Sequence, residues 1–172
     1  MAKRFGLREY TEDEKRALLN EHFRYEVAML VPSSGLMKVY TDNQSVADAI
    51  NSISIESFLM HLRNLLEFLQ YIRTKSPDTA VAQDFMVEGR DWERIKREKN
   101  LELGFDIRRI QKEISHLTYD RVKNPKTSWD RIGILRNIWY IASTFLDNCD
   151  ERYVGAELKE LKTTLDVQLA AD

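Results

Sequence analysis

Residues able to do chemistry are few in this chain, and the densest group is the stretch EISHLTYDR, residues 113–121, which carries one of only three histidines. At 100° per residue, Ile107, Ile110, Ile114 and Leu117 form one apolar stripe, and His116 falls nearly opposite it. Arg109 lies seven residues before His116, two helical turns away, so the two share a face with Lys112 between them. An imidazole titrates near neutral pH and serves as general acid or base. A guanidinium presents a planar fork to phosphate oxygens. Together, His116 as acid/base with Arg109 or Arg121 on the phosphate is what metal-independent RNA cleavage by 2′-hydroxyl attack requires. The spacing alone is not distinctive, because RALLNEH (residues 16–22) brings an arginine and a histidine into the same window. A structural use competes with it: His116, Tyr119, Asp120 and Arg121 could cap the helix end, with Arg121 neutralising the last carbonyls.

A second group is HLRNLLEFL, residues 61–69. Leu62, Leu65, Leu66 and Leu69 take the core side of a helix, His61 and Phe68 lie at one edge, and Arg63 and Glu67 lie at the other. Four residues apart, Arg63 and Glu67 can pair along the helix for a few tenths of a kcal/mol. The functional alternative is that Arg63 and Asn64 form a binding group facing His116 and Arg121 across a groove.

No metal is expected. EISH is a Glu-x-x-His, which sets Glu113 and His116 on one side of a helix, but di-iron bundles need two copies and further carboxylates. One cysteine and three scattered histidines make no zinc pattern. Glycine-rich phosphate loops, nucleophile elbows and dinucleotide fingerprints are missing, so no cofactor is expected either.

The elements that must position these residues read as helical throughout. Thr11 and Glu14 make a capping box ahead of a helix carrying Leu18, Leu19, Phe23, Val27 and Leu30, which Pro32 is expected to stop. A long helix is expected from about Ser45 to Arg73, with Ile55, Phe58, Leu62, Leu65, Leu66, Leu69 and Ile72 on one stripe. Ser76 and Pro77 would open a short helix. Further helices follow from Trp92 to about Asn100, and through FDIRRIQKEISHL. Another, capped by Thr127 or Ser128, carries Ile132, Leu135, Trp139, Ala142 and Leu146, and a last one carries Leu158, Leu161, Leu165 and Leu169. The expectation is a single all-α domain over residues 1–172. Its bundle has five main helices and one or two short ones over about 11–170, behind a short N-terminal arm of residues 1–10.

Bulk properties narrow the function classes. Hydrophobic residues are 43% and charged residues 31% of the chain, which is the profile of a globular protein and not of a disordered one. The longest apolar stretch, IGILRNIWYIASTFL, is interrupted by Arg136 and Asn137 and is too short for a bilayer, and no apolar segment follows the basic N-terminus. No membrane partner is expected. The lone Cys149 excludes an internal disulfide framework and agrees with a cytoplasmic setting. Net charge is -2, yet residues 90–131 hold 12 basic against 8 acidic side chains. A solvated helix surface is the favoured use of that excess, and RNA binding is the alternative. Trp129, Trp139, Tyr140, Phe145 and Tyr153 exceed what one stripe can hold, leaving some for a protein partner if the core does not take them.

The pair HLRNLLEFL and EISHLTYDR resembles a motif pair of small bacterial helical proteins and, more distantly over about residues 45–148, the HEPN superfamily. Nuclease members of that superfamily carry an arginine, four to six intervening residues and a histidine. The resemblance implies that Arg109 and His116 would stand at those positions in a dimeric, metal-independent endoribonuclease. It equally implies the other use found among such domains, a non-catalytic interaction or regulatory module, either as a homodimer or with a protein partner.

Overall fold

The computed structural model describes residues 10–36, 41–70, 79–101, 107–114 and 129–170. The architecture is all-α, and no strand occurs among the described residues; Met86 and Cys149 meet in one isolated antiparallel bridge. The helices are α1 (Glu12–Ala17), α2 (Arg24–Val31), α3 (Gln44–Gln70), α4 (Trp92–Lys99), α5 (Ile107–Ile114), α6 (Arg131–Asn148) and α7 (Ala156–Ala170), with short 3₁₀ turns at Ala82–Phe85 and Glu151–Tyr153.

The start of α1 follows its sequence: the Thr11 hydroxyl accepts from the Glu14 amide at 3.2 Å while the Glu14 carboxylate accepts from the Thr11 amide at 2.9 Å. A wider turn at Leu18–Phe23 joins α1 to α2, and Leu19, Phe23, Val27 and Leu30 are all buried. Pro32 does not end this run. The helical path continues through Pro32–Leu36 and breaks at Gly35, whose φ of 91° suits a residue without a Cβ. A Cβ there would also meet Arg131 Nη2 at 3.2 Å. Arg131 donates to the Ser33 carbonyl at 3.1 Å and to Asn51 Oδ1 at 3.3 Å, so the α2 end, α3 and the α6 start are held by one guanidinium.

α3 is the spine, packing against α2, α5 and α6. Its C-terminal half buries Phe58, Leu59, Leu62, Leu65, Leu66, Phe68 and Leu69, whereas its first turns are largely exposed. Around Phe68 and Phe145, whose ring centroids are 5.2 Å apart, gather Phe23, Phe85 and Trp92. Burying each such ring contributes about 1.5–3 kcal/mol, and edge-to-face contact adds to it.

α4, within the basic stretch of residues 90–131, is a solvated surface on one side only. Arg94, Arg97 and Lys99 are exposed, but Trp92 and Lys96 are buried one turn apart. Trp92 Nε1 donates to the Leu69 carbonyl at 2.7 Å and Lys96 Nζ to the Gln70 carbonyl at 3.1 Å, so the two side chains satisfy carbonyls at the end of α3. Glu93 pairs with the same ammonium at 2.7 Å.

The cap of α6 is Asp130, whose Oδ1 accepts from the Gly133 amide at 3.0 Å; Thr127 and Ser128 lie outside the described residues, as do Ser76 and Pro77. Ile132, expected in the α6 core stripe, is exposed, while Leu135, Trp139, Ala142 and Leu146 are buried. α7 docks through Leu158 and Leu165, and Asn20 clasps its start by accepting from the Gly155 amide at 2.6 Å and donating to the Tyr153 carbonyl at 2.9 Å. No helix of the described residues is long and apolar enough to cross a membrane.

Candidate functional site

The polar group built most deliberately into the helix packing lies between α2 and α3. Glu26, four residues before the buried Leu30, sits on the flank of α2 that meets α3. His61 and Asn64, three residues apart, present their side chains from α3 to the same carboxylate. His61 Nδ1 lies 2.7 Å from Glu26 Oε2, and Asn64 Nδ2 donates to Glu26 Oε1 at 3.1 Å. Both carboxylate oxygens are therefore engaged. Since an ionised carboxylate only accepts, the proton of the contact sits on His61 Nδ1.

His61 is buried at 9% exposure, and the ring of Tyr25 stands edge-on to it, with centroids 5.6 Å apart. Chemically this is a carboxylate–imidazole pair in which the contact orients the ring. Among the described residues no group of three His, Cys, Asp or Glu side chains is placed to hold a metal ion.

The residues singled out from sequence fare differently. Arg63 Nε donates to Glu67 Oε1 at 3.0 Å, so it is engaged along its own helix. Asn64 turns instead to Glu26 on α2. Arg109 is exposed on α5, with its guanidinium carbon 4.9 Å from the centroid of the Trp129 ring. His116 and Arg121 lie outside the described residues, as does any groove they would line with Arg63 and Asn64. Sequence reasoning noted His61 only as an edge residue and passed over Glu26. Its signal was one acid within the otherwise mostly apolar RYEVAMLV, but the 35 residues separating it from His61 hide the pairing.

The remaining aromatic residues divide clearly. Trp139, Phe145 and Tyr153 are buried, Trp129 is half-buried, and Tyr140 is exposed. Trp139 Nε1 and Ser143 Oγ donate to Asp166 Oδ1 at 2.9 and 3.0 Å, and Lys162 Nζ donates to Asp166 Oδ2 at 2.7 Å. Burial would raise the Asp166 carboxyl, but these three donors outweigh it and hold the group below its ordinary range. Beside it, an open cleft of about 590 Å³ lies between α6 and α7, with Leu146, Val154 and Cys149 among its walls. Burial, followed by the charges of Asp150 and Asp147, pushes the Cys149 thiol up to about 12, so it is a packing residue and no nucleophile at neutral pH.

The fold and site define an all-helical bundle with a part-buried acid–histidine clasp. No protein-family model, curated protein or solved structure matches the chain.

Proposed function

We propose that the chain is a helical interaction module of the HEPN-like, non-catalytic kind, and that its working surface is the joint face of α2 and α3. One observation carries this reading: apolar side chains are exposed along α3 and on the adjoining part of α2, two of them, Tyr25 and Met60, next to the Glu26–His61 contact. Tyr25 is 53% exposed, Met60 45%, Ile53 67% and Val46 44%. Single exposed apolar residues need no explanation, but four on one helix pair, two of them flanking a part-buried polar contact, have the make-up of an interface. The clasp supports that use because it fixes the angle at which Tyr25 and Met60 are displayed.

Crosslinking the tagged full-length chain in cells, followed by mass spectrometry of the linked peptides, tests the proposal. The expected result is protein-to-protein links concentrated on residues 21–29 and 46–64 and lost in Ile53→Glu. Links unaffected by that substitution would overturn it.

A second reading is metal-independent RNA cleavage by His116 with Arg109 or Arg121 on the phosphate. It draws support from the exposed Arg109 guanidinium over Trp129, an arrangement that also suits a nucleic-acid backbone. Its test is cleavage of RNA by the purified protein, with His116→Ala expected to abolish activity and keep the helical fold. Cleavage that persists in His116→Ala would overturn it.

A further inference from the structure

The open cleft of about 590 Å³ between α6 and α7 falls within the roughly 300–1,000 Å³ of small-molecule sites. One of its walls is built in advance. The turn that carries Val87 and Arg90 is pinned to the end of α6 by the antiparallel bridge between Met86 and Cys149, and by the Asp150 amide, which donates to the Phe85 carbonyl at 2.8 Å. Arg90 Nη1 donates to Asn148 Oδ1 at 2.7 Å, and the Arg90 carbonyl accepts from Gln83 Nε2 at 3.0 Å. Leu146, Val154 and Val87 give the cleft an apolar lining.

The charged residues of the cleft divide into two sets. Asp150 is paired with Arg152, and Lys162 lies between Asp147 and Asp166, so these charges are balanced within the fold. Arg90, Lys159 and Glu151 are not: among the described residues none of the three forms an ion pair, and the guanidinium of Arg90 bonds only the neutral amide of Asn148. A guanidinium oriented through one nitrogen keeps its other N–H groups for a carboxylate. Lys159 adds a second cation. Glu151 offers an acceptor to an ammonium group, and the last turn of α6, whose terminal carbonyls carry partial negative charge, lines the same cleft.

We propose that this cleft binds a small zwitterion with an apolar body, of the free amino-acid and short-peptide class. Its carboxylate is taken by Arg90 and Lys159, its ammonium by Glu151 at the end of α6, and its apolar side chains by Leu146 and Val154. Charge complementarity selects the class. A purely anionic ligand would be opposed by Glu151, and a purely cationic one by Arg90 and Lys159; a ligand bearing both charges answers all three. The inference is independent of the interaction-module reading, since none of these residues belongs to α2 or α3.

Amide chemical-shift titration of the isotope-labelled full-length chain with L-leucyl-L-leucine, its N-acetyl form and its C-terminal amide provides the test. The free dipeptide should saturate shifts at residues 87–90 and 146–162, and either capped form should bind at least about tenfold more weakly. Glu151→Gln and Lys159→Gln remove charges that have no partner in the fold, so circular dichroism should match the parent. Glu151→Gln should weaken the free dipeptide about as much as acetylation does, and acetylation should then cost the variant little more. Lys159→Gln and Arg90→Gln should show the same non-additivity with the C-terminal amide. Ile53→Glu, on α3, should bind as the parent does. No saturable shifts with the free dipeptide at millimolar concentration, or equal binding of the free and both capped forms, would overturn the inference. Binding that tolerates acetylation but not amidation would reveal an anion site, and would overturn the zwitterion.

Discussion

Glu26 and His61, on different helices and 35 residues apart in sequence, meet at 2.7 Å, with Asn64 occupying the other carboxylate oxygen. The contact joins α2 to α3 at the point where Tyr25 and Met60 reach the surface. Truncating one partner leaves a partly buried polar group without its mate, which costs more than the intact pair contributes. A double-mutant cycle on Glu26→Ala and His61→Ala, read by urea denaturation, should therefore give a coupling of about 1 kcal/mol. Additivity within error would show that the two side chains are merely adjacent.

Trp92 is a stronger structural point. Its indole is fully buried and its Nε1 donates to the Leu69 carbonyl. Trp92→Phe keeps most of the ring but removes the donor, so stability should fall by about 1–3 kcal/mol. Trp92→Ala should lose about 3–5 kcal/mol, because it also opens a cavity against Phe145. Equilibrium unfolding of the two variants distinguishes the hydrogen bond from the packing.

Gly35 ends the helical path from α2 in the left-handed region. In Gly35→Ala the methyl group would be strained there and would crowd the guanidinium of Arg131 that bonds Ser33. A loss of about 1 kcal/mol or more is expected by thermal or chemical unfolding. Pro32→Ala, by contrast, should change stability little, since Pro32 does not terminate the helical path.

The carboxylate of Asp166 yields a pH dependence. Burial acts to raise its pKa, but donation from Lys162, Ser143 and Trp139 prevails and lowers it below the ordinary carboxylate value of 3.8. A folded-state pKa below the unfolded one means that the unfolded chain binds more protons in this range. The stabilisation is thus present above pH 3.8 and is lost as pH falls through the lower folded value. Asp166→Asn should melt below the parent at neutral pH, and the gap should close on acidification. A gap that stays constant down to about pH 2 would contradict the assignment.

Cys149 should be silent in the folded protein. With its thiol pushed up to about 12, the thiolate fraction at pH 8 is about one in ten thousand, and the side chain is buried as well. Ellman's reagent should react only after unfolding in guanidinium chloride. Prompt reaction under native conditions would contradict this assignment.

Much of this molecule was fixed by local pattern. The Thr11–Glu14 box, the leucine stripe of α3 and the buried stripe of α6 follow from 3.6-residue periodicity and from short-range hydrogen bonds, which depend only on near neighbours in the chain. The Arg63–Glu67 pair belongs to the same group, since residues four apart on a helix must be adjacent in space. Tertiary structure decided the contacts whose partners are distant in sequence. Glu26 reached His61 and Asn64 only because α2 packs on α3, and Lys96 became buried only because α4 docks where the carbonyls of α3 end. It also decided which apolar residues stay outside. Ile53 and Phe58 are both apolar residues of one helix, yet only Phe58 is buried, because a helix periodicity identifies faces but not which of them a neighbour will cover.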